Sequence, residues 1–330
     1  MAALVVLFGA LPIILIGAKL FTNAIEHVGM MFGVSEGVTG SLLAAVGTAL
    51  PETIVPILAS FQGGGGAHVA VGAVLGAPLM LSTLTMAVIG LTAVLGRGFG
   101  GCLTPEPRGL RRDIDWFLAL FALAFLGLFL PLGLARPLLA VVLVAGYGGY
   151  VRATVRASSE LVDCGHGTRA STTLSLARLR LQWVPGLRYL QLALSLVLIL
   201  AGAQLFVVGI ERLGRVAHVS VLVLALVIVP IATELPEKVN SILWVRRHQD
   251  TLAFGNVTGA LVFQGSLLPA LGLMLTPWRA SPLLVVSMLT TMMGVGYLRI
   301  RSASAAGIRA GQVMAVGLLY VAFVGYLLAI

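Results

Sequence analysis

Charged residues are scarce in this chain. Asp, Glu, Lys and Arg make up 10% of its 330 residues, whereas 59% are hydrophobic. A soluble domain carries about 25% charged residues, so this scarcity excludes an ordinary soluble domain and predicts a protein that crosses a membrane several times. Cysteine is scarce too. Cys102 and Cys164 are the two cysteines of the chain, and two are too few for a disulfide scaffold or a zinc site.

Motifs for phosphate binding and for hydrolysis are also missing. The glycine run FQGGGGAHVAVG at 61–72 lacks the G-K-[ST] of a phosphate-binding loop, and we interpret it as a flexible connector. GVSEG at 33–37 matches G-x-S-x-G, but that nucleophile motif needs a strand–turn–helix context that the start of a membrane helix lacks. The sequence therefore predicts that the protein is not an enzyme and holds no resident cofactor.

Long apolar runs are what the chain does contain. About 20 apolar residues cross a bilayer as a helix, and such runs recur from end to end. We expect an all-α polytopic membrane protein with ten transmembrane helices, the first of them not a removed signal peptide. The predicted spans are 2–22, 34–60, 66–95, 113–131, 134–152, 189–210, 217–245, 251–275, 280–298 and 307–329.

Arginine concentrates in alternate loops, including 97–112, 152–188 and 299–309. Basic loops of membrane proteins face the cytoplasm, so ten spans would leave both termini outside. This pattern also accounts for the net charge of +9 without a nucleic-acid partner. The predicted partners are the lipid bilayer and inorganic cations, with no obligate protein partner.

The two halves of the chain are copies of each other. A shift of 185 residues places 17–52 over 202–237 with 14 identities in 36 positions, including Glu52 over Glu237. With five spans in each half, the second copy starts on the opposite side of the membrane, as in the inverted repeats of secondary transporters. The predicted units are a first five-helix repeat at 1–152, a cytoplasmic linker at 153–188 and a second five-helix repeat at 189–330.

Each copy carries a proline and a glutamate inside its second apolar run. A proline interrupts a helix and frees a backbone carbonyl, so Pro51 and Pro236 predict broken second and seventh helices. A free carbonyl is tolerated in a membrane only beside protein or a water-filled cavity. A central charge costs roughly 3 kcal/mol, and its presence at Glu52 and again at Glu237 argues against accident.

The residues around these breaks are hard oxygen ligands. Thr48 stands four residues before Glu52, and Thr233 four before Glu237, so each hydroxyl shares a helical face with its carboxylate. Ca²⁺ prefers such oxygen ligands. Two-fold pseudosymmetry would bring both sets together at the bilayer midplane.

These motifs resemble a known family. GTALPE at 47–52 and ATELPE at 232–237 are similar to the G-T-S-x-P-E signatures of the cation/calcium antiporter superfamily. RRDIDWFLALF at 111–121 resembles the start of its fourth helix, and 71–81 and 254–264 resemble its glycine-rich motifs. The resemblance covers nearly the whole chain. It implies ten helices, a central site of two glutamates with hydroxyls and amides, and alternating access by sliding of the first and sixth helices.

The chain departs from the family pattern at several ligand positions. Where the family signatures carry serine this chain has Ala49 and Glu234, and in the third helix Ala77 and Leu81 cannot coordinate. The predicted cation ligands are Glu52, Glu237, Thr48, Thr233, Glu234 and Gln264. Lys238, four residues after Glu234, either pairs with it or occupies a cation position itself.

The resemblance implies a secondary active antiporter of the sodium/calcium exchanger type in a prokaryotic inner membrane. The transported cations would be Ca²⁺ and either Na⁺ or H⁺, since neighbouring carboxylates favour retention of a proton. Two alternatives stay open. One is a proton- or potassium-coupled cation exchanger without calcium selectivity. The other is a non-transporting sensor or scaffold on a degenerate exchanger fold.

Overall fold

The computed structural model describes residues 2–49, 52–53, 56–57, 60, 66–131, 133–170, 172–179, 186–216, 226–227, 229–304 and 307–329. Helices dominate this part of the chain. They are α1 (Ala2–Phe32), α2 (Glu36–Val38), α3 (Ala45–Thr48), α4 (Gly66–Met80), α5 (Met86–Arg97), α6 (Pro107–Leu126), α7 (Ala135–Leu161), α8 (Leu187–Val216), α9 (Val229–Thr233), α10 (Leu235–Arg246), α11 (Asp250–Leu275), α12 (Pro282–Arg301), α13 (Ala310–Ala315) and α14 (Gly317–Ala329).

Beyond turns and loops, the described residues depart from helix in a two-stranded antiparallel ribbon and in an isolated antiparallel bridge between Ser35 and Gly167. Strand β1 (Cys102–Leu103) pairs with β2 (Ile308–Arg309), so that Cys102 lies opposite Arg309. The ribbon joins the segment after α5 to the segment before α13. The all-α prediction is otherwise in agreement with the fold.

Within the described residues, six helical segments are long and apolar enough to cross a membrane: Pro12–Phe32, Ala70–Arg97, Ala135–Leu161, Asp250–Leu275, Pro282–Arg301 and Ala310–Ala329. Large apolar side chains on the outer faces of α7 and α14, such as Val141 and Leu318, are exposed. In water an apolar surface of this kind would favour association or aggregation. Lipid is the solvent that suits it.

Helices α1 and α8 pack along each other. A Cβ added to Gly17 would lie 3.0 Å from Cγ1 of Ile199, and one added to Gly202 would lie 2.7 Å from Cγ1 of Ile14. Gly17 and Gly202 occupy corresponding positions of the sequence repeat. Small residues let membrane helices approach closely, and here each copy supplies one such residue to the same interface.

Both motif segments bend at the predicted place. Helix α3 ends at Thr48, and Ala49 has φ −76° and ψ 5°. Helix α9 ends at Thr233, Glu234 has φ −91° and ψ 7°, and α10 begins with Pro236 in its first turn. Ala49 and Glu234 are again corresponding residues, so the two copies turn at the same point. Pro51 and residues 61–65 lie outside the described residues. The rest of the predicted flexible connector, 66–72, is helical and forms the start of α4 (Gly66–Met80), so that part of the prediction was wrong.

Two helical segments are wider than a regular α-helix. The segments Thr39–Ala44 and Leu81–Thr85 are π-helical, a form that often occurs at functional sites. A Cβ on Gly259 would collide with the backbone of Ser41, and one on Gly76 with the carbonyl of Leu226. Ser41 and Leu226 correspond in the repeat, so each glycine-rich helix is pressed against an equivalent turn.

Asp113 joins four helical segments. Its Oδ2 accepts hydrogen bonds from Oγ of Ser41 at 2.6 Å and Oγ1 of Thr258 at 2.8 Å, and its Oδ1 accepts one from the hydroxyl of Tyr150 at 3.1 Å. The guanidinium of Arg112 lies 3.3 Å from the same carboxylate. Because Ser41 belongs to the π-helical turn of the second span, this buried carboxylate fixes that turn against α6, α7 and α11.

Several predicted boundaries were wrong. The first span was predicted to end at 22, but α1 continues to Phe32 and ends at Gly33, where φ is +62°. Its polar residues are tolerated because Asn23 accepts a hydrogen bond from Ser175 N, and Glu26 accepts one from Trp244 Nε1. The linker predicted at 153–188 starts later, because α7 continues to Leu161.

We predict that Asp113→Ala strongly destabilises the protein. The substitution leaves the buried hydroxyls of Ser41 and Tyr150 without their acceptor, whereas Thr258 keeps the carbonyl of Phe254 at 2.9 Å. One unsatisfied buried group costs about 1–3 kcal/mol. We expect a loss of about 3 kcal/mol or more in the free energy of unfolding, seen as a lower thermal midpoint in detergent.

Asp115→Asn is the matched control on the same helix. Asp115 is 53% exposed and pairs with a half-exposed Arg299, and surface pairs contribute about 1 kcal/mol or less. Equal shifts for the two variants would contradict the structural role of Asp113.

Candidate cation-binding site

The six residues predicted as cation ligands are all buried inside the helix bundle. They are Thr48, Glu52, Thr233, Glu234, Glu237 and Gln264. The folded chain brings five of them into contact or close electrostatic interaction, as described below. Thr233 is buried at the end of α9, immediately before the bend.

Glu52 and Gln264 connect the first broken segment to α11. Nε2 of Gln264 donates a hydrogen bond of 2.8 Å to Oε1 of Glu52. Oε2 of Glu52 and Oε1 of Gln264 have no hydrogen-bond partner among the described residues. The amide therefore orients one carboxylate oxygen and leaves two oxygen acceptors for a cation.

Glu237 lies beside Glu52 and Thr48. The hydroxyl of Thr48 donates a hydrogen bond of 3.0 Å to the carbonyl of Ala44 and lies near the carboxyl group of Glu237. In the part of the chain described, neither carboxylate oxygen of Glu237 has a hydrogen-bond partner. Two buried carboxylates thus lie side by side with little to neutralise them.

Glu234 differs from the other two glutamates because it has a cationic partner. Nζ of Lys238 donates a hydrogen bond of 3.1 Å to Oε2 of Glu234, and both side chains are largely buried. The hydroxyl of Thr85 and the ring of Tyr320 lie near the same carboxyl group. One oxygen of Glu234 is therefore committed to Lys238.

Sequence reasoning missed Thr85 and Asn240. The family pattern indicates positions 77 and 81 of the third span as ligand positions. The π-helical turn Leu81–Thr85 places Thr85 near Glu234 instead. Asn240 is buried on α10, and none of its amide atoms has a partner in the described part of the protein. A search for every polar residue of the third and seventh spans would have found both.

Asn256 supports the site through the backbone. Its Nδ2 donates to the carbonyl of Glu237 at 3.3 Å and to Oγ of Ser241 at 3.2 Å. Helix α11 therefore holds α10 at the residue that carries the unpaired carboxylate. These two bonds position the backbone of α10, and they do not involve the carboxylate oxygens of Glu237.

The donor set suits a hard cation. Carboxylate, amide and hydroxyl oxygens are the ligands that Ca²⁺ and similar ions prefer. Within the described residues no group of three or more His, Cys, Asp and Glu side chains converges as at a tightly held metal.

These features define a multi-pass integral membrane protein with a polar centre. Comparison with known families gives its class. The family model described as "Sodium/calcium exchanger protein" matches residues 2–155 and 187–329. The chain belongs to the sodium/calcium exchanger family.

Curated relatives and solved structures agree with this membership. The chain is 28% identical over 280 residues to "Putative antiporter CaxA" of Alkalimonas amylolytica, covering 84% of this chain and 81% of that protein. It is 26% identical over 253 residues to "Inner membrane protein YrbG" of Escherichia coli, covering 76% and 73%. The sodium-calcium exchanger NCX_Mj shares the fold, with a TM-score of 0.75, 22% identity and 98% of both chains covered.

We predict that Glu237→Gln abolishes stabilisation of the protein by Ca²⁺. A ligand at a hundred times its Kd stabilises a folded protein by about 2.7 kcal/mol, and a neutral amide removes the charge that would hold the ion. The measurement is the Ca²⁺-induced rise of the thermal midpoint in detergent.

Glu160→Gln is the control, because Glu160 is exposed on α7 and far along the chain from the site. It should keep the full Ca²⁺-induced rise. A rise that is equal in Glu237→Gln and in the unmodified protein would argue that the ion binds elsewhere.

Proposed function

We propose that the protein is a secondary active antiporter that exchanges Ca²⁺ for Na⁺ or H⁺ at a site built by Glu52 and Glu237. The observation that carries the proposal is the pair of adjacent buried carboxylates, three of whose four oxygens have no hydrogen-bond partner in the described residues. A buried charge is costly unless it is paired. A transported cation supplies the missing charge, and one cation must be replaced by another before the site can change sides.

Calcium is favoured as one substrate by two observations. The unpaired groups carry a formal charge of −2, which one divalent ion balances, and their ligands are hard oxygens. The relative CaxA is named a putative antiporter, and NCX_Mj is named a sodium-calcium exchanger. We extend those names to this chain as part of the proposal.

We further infer ten transmembrane spans arranged as two inverted repeats, with the second and seventh broken. Corresponding residues support this arrangement: Gly17 and Gly202 each line the α1–α8 interface, and Ala49 and Glu234 share one bend geometry. Alternating access would then move α1 and α8 as one packed pair across the fixed site, as rocking of one bundle against another does in repeat-built transporters.

The proposed topology places both termini outside the cytoplasm of a prokaryotic inner membrane. The arginine-rich loops support it, because basic loops face the cytoplasm. A reporter that is active only outside the cytoplasm should be active when fused after residue 329 and inactive when fused within 172–179. The reverse pattern would overturn the assigned orientation.

We predict gradient-driven Ca²⁺ uptake by proteoliposomes that contain the protein. An outward Na⁺ gradient and an outward H⁺ gradient are applied in turn, and the effective gradient identifies the coupling ion. Glu52→Gln should lower uptake at least tenfold, because the site then lacks one of its two unpaired charges, while Glu160→Gln should retain it.

Absence of uptake under both gradients would contradict the antiporter proposal. If Ca²⁺ still raised the thermal midpoint, the protein would be a cation-binding membrane protein that does not transport calcium. If neither effect occurred, the altered ligands of the third helix would have changed the substrate, and an exchanger without calcium selectivity would become the better hypothesis.

A further inference from the structure

The candidate site contains a positively charged side chain of its own. Lys238 is 7% exposed, and its Nζ lies 3.1 Å from Oε2 of Glu234. The backbone N–H of Lys238 also donates to the carbonyl of Glu234 at 3.2 Å. The two residues therefore face each other across the first turn after the break in the seventh span.

The corresponding residues of the first repeat are uncharged. Ala49 corresponds to Glu234 and Thr53 to Lys238, and Oγ1 of Thr53 donates to the carbonyl of Ala49 at 2.7 Å. The two i, i+4 residues are thus joined by a hydrogen bond from a side chain to the backbone in one copy and by an ion pair between side chains in the other. The repeat alone does not require the ion pair, so its presence is a specific property of the second copy.

The ammonium group lies within the electrostatic reach of the unpaired site. Lys238 interacts favourably with Glu237 as well as with Glu234, and Glu52 is repelled by both of these glutamates. No other Lys, Arg or His side chain makes an ion pair with these three carboxylates in the described part of the chain. The three carboxylates and the ammonium group together carry a net formal charge of −2.

We propose that the ammonium of Lys238 permanently occupies one monovalent-cation position of the site and is held there by Glu234. The inference rests on the proposed function, because it concerns which ions share the site with Ca²⁺. Mobile ions then have only the two charges of Glu52 and Glu237 to balance. One divalent ion or two monovalent ions satisfy that requirement, so exchange is electroneutral.

The coupling ratio follows from this charge balance. At equilibrium without a membrane potential, a tenfold gradient of the coupling ion holds about a 100-fold Ca²⁺ gradient when two ions are exchanged for one. It holds about a 1,000-fold gradient when three are exchanged. The equilibrium Ca²⁺ gradient of an electroneutral exchange does not depend on an imposed membrane potential, whereas that of an exchange that moves net charge does.

The experiment compares the unmodified protein with Lys238→Met and with the double variant Glu234→Gln/Lys238→Met in proteoliposomes. Lys238→Met leaves the carboxylate of Glu234 for a mobile cation. The double variant replaces both members of a buried ion pair by neutral groups, a change that is often tolerated, and it keeps only the two charges of Glu52 and Glu237. The zero-flux Ca²⁺ gradient is measured against a tenfold gradient of whichever ion drives uptake, with and without an imposed potential. The control is Asp115→Asn/Arg299→Gln, which removes an ion pair far outside the site.

We expect the unmodified protein and the control to balance at about a 100-fold Ca²⁺ gradient and to ignore the potential. Lys238→Met, in which the position is vacated and Glu234 is retained, should move toward about 1,000-fold and become sensitive to the potential. The double variant should stay at about 100-fold, because two charges remain. An identical ratio and identical voltage response in the unmodified protein and Lys238→Met would overturn the inference while leaving the antiporter proposal intact.

A binding measurement keeps the inference testable if no uptake is seen. The apparent Kd for Ca²⁺ is determined in detergent from thermal shifts at several Na⁺ concentrations, and the slope of log Kd against log Na⁺ counts the Na⁺ ions displaced. Lys238→Met should displace one more Na⁺ ion than the unmodified protein, and the double variant should not. Equal slopes in Lys238→Met and the unmodified protein would overturn the role of Lys238 whether or not the protein transports calcium.

Discussion

Burial of negative charge at the centre of the bundle is the constraint on which the rest of the structure depends. Glu52 and Glu237 are almost entirely excluded from solvent, and most of their oxygens have no protein donor among the described residues. A low dielectric makes such groups costly unless a cation or a proton accompanies them. The broken helices, the π-helical turns and the close glycine contacts serve to bring these two groups together.

Hydrophobic burial cannot hold such a bundle together in lipid, so packing and polar contacts must do so. Small residues press α1 against α8 and α11 against the second span. Hydrogen bonds between polar groups also join the helices at their ends. Arg97 binds both oxygens of Asp250 at 2.7 Å and donates to the carbonyl of Val245, which joins α5 to α10 and α11.

The two copies of the repeat are alike in geometry but not in charge. Both turn at the same residue, and both press a glycine-rich helix against an equivalent segment. The second copy alone adds Glu234 and Lys238 at the turn. The two bends are therefore alike in backbone geometry, and only the second one carries an ion pair.

The sequence by itself determined the membrane class, the internal repeat and the residues around each break. Those features follow from local chemistry: scarcity of charge, a proline that interrupts a helix and a carboxylate repeated at a shift of 185 residues. It placed the end of α1 ten residues too early, because Asn23 and Glu26 look like surface residues until their partners Ser175 and Trp244 are known.

Only the tertiary structure decided which polar groups meet. The π-helical turn brings Thr85 to Glu234 in place of the positions that regular spacing indicated. The hydrogen bond that Gln264 donates to Glu52 joins groups on separate helices whose orientation no helical period specifies. Periodicity fixes the face on which a side chain lies, but the partner on that face depends on how distant helices pack.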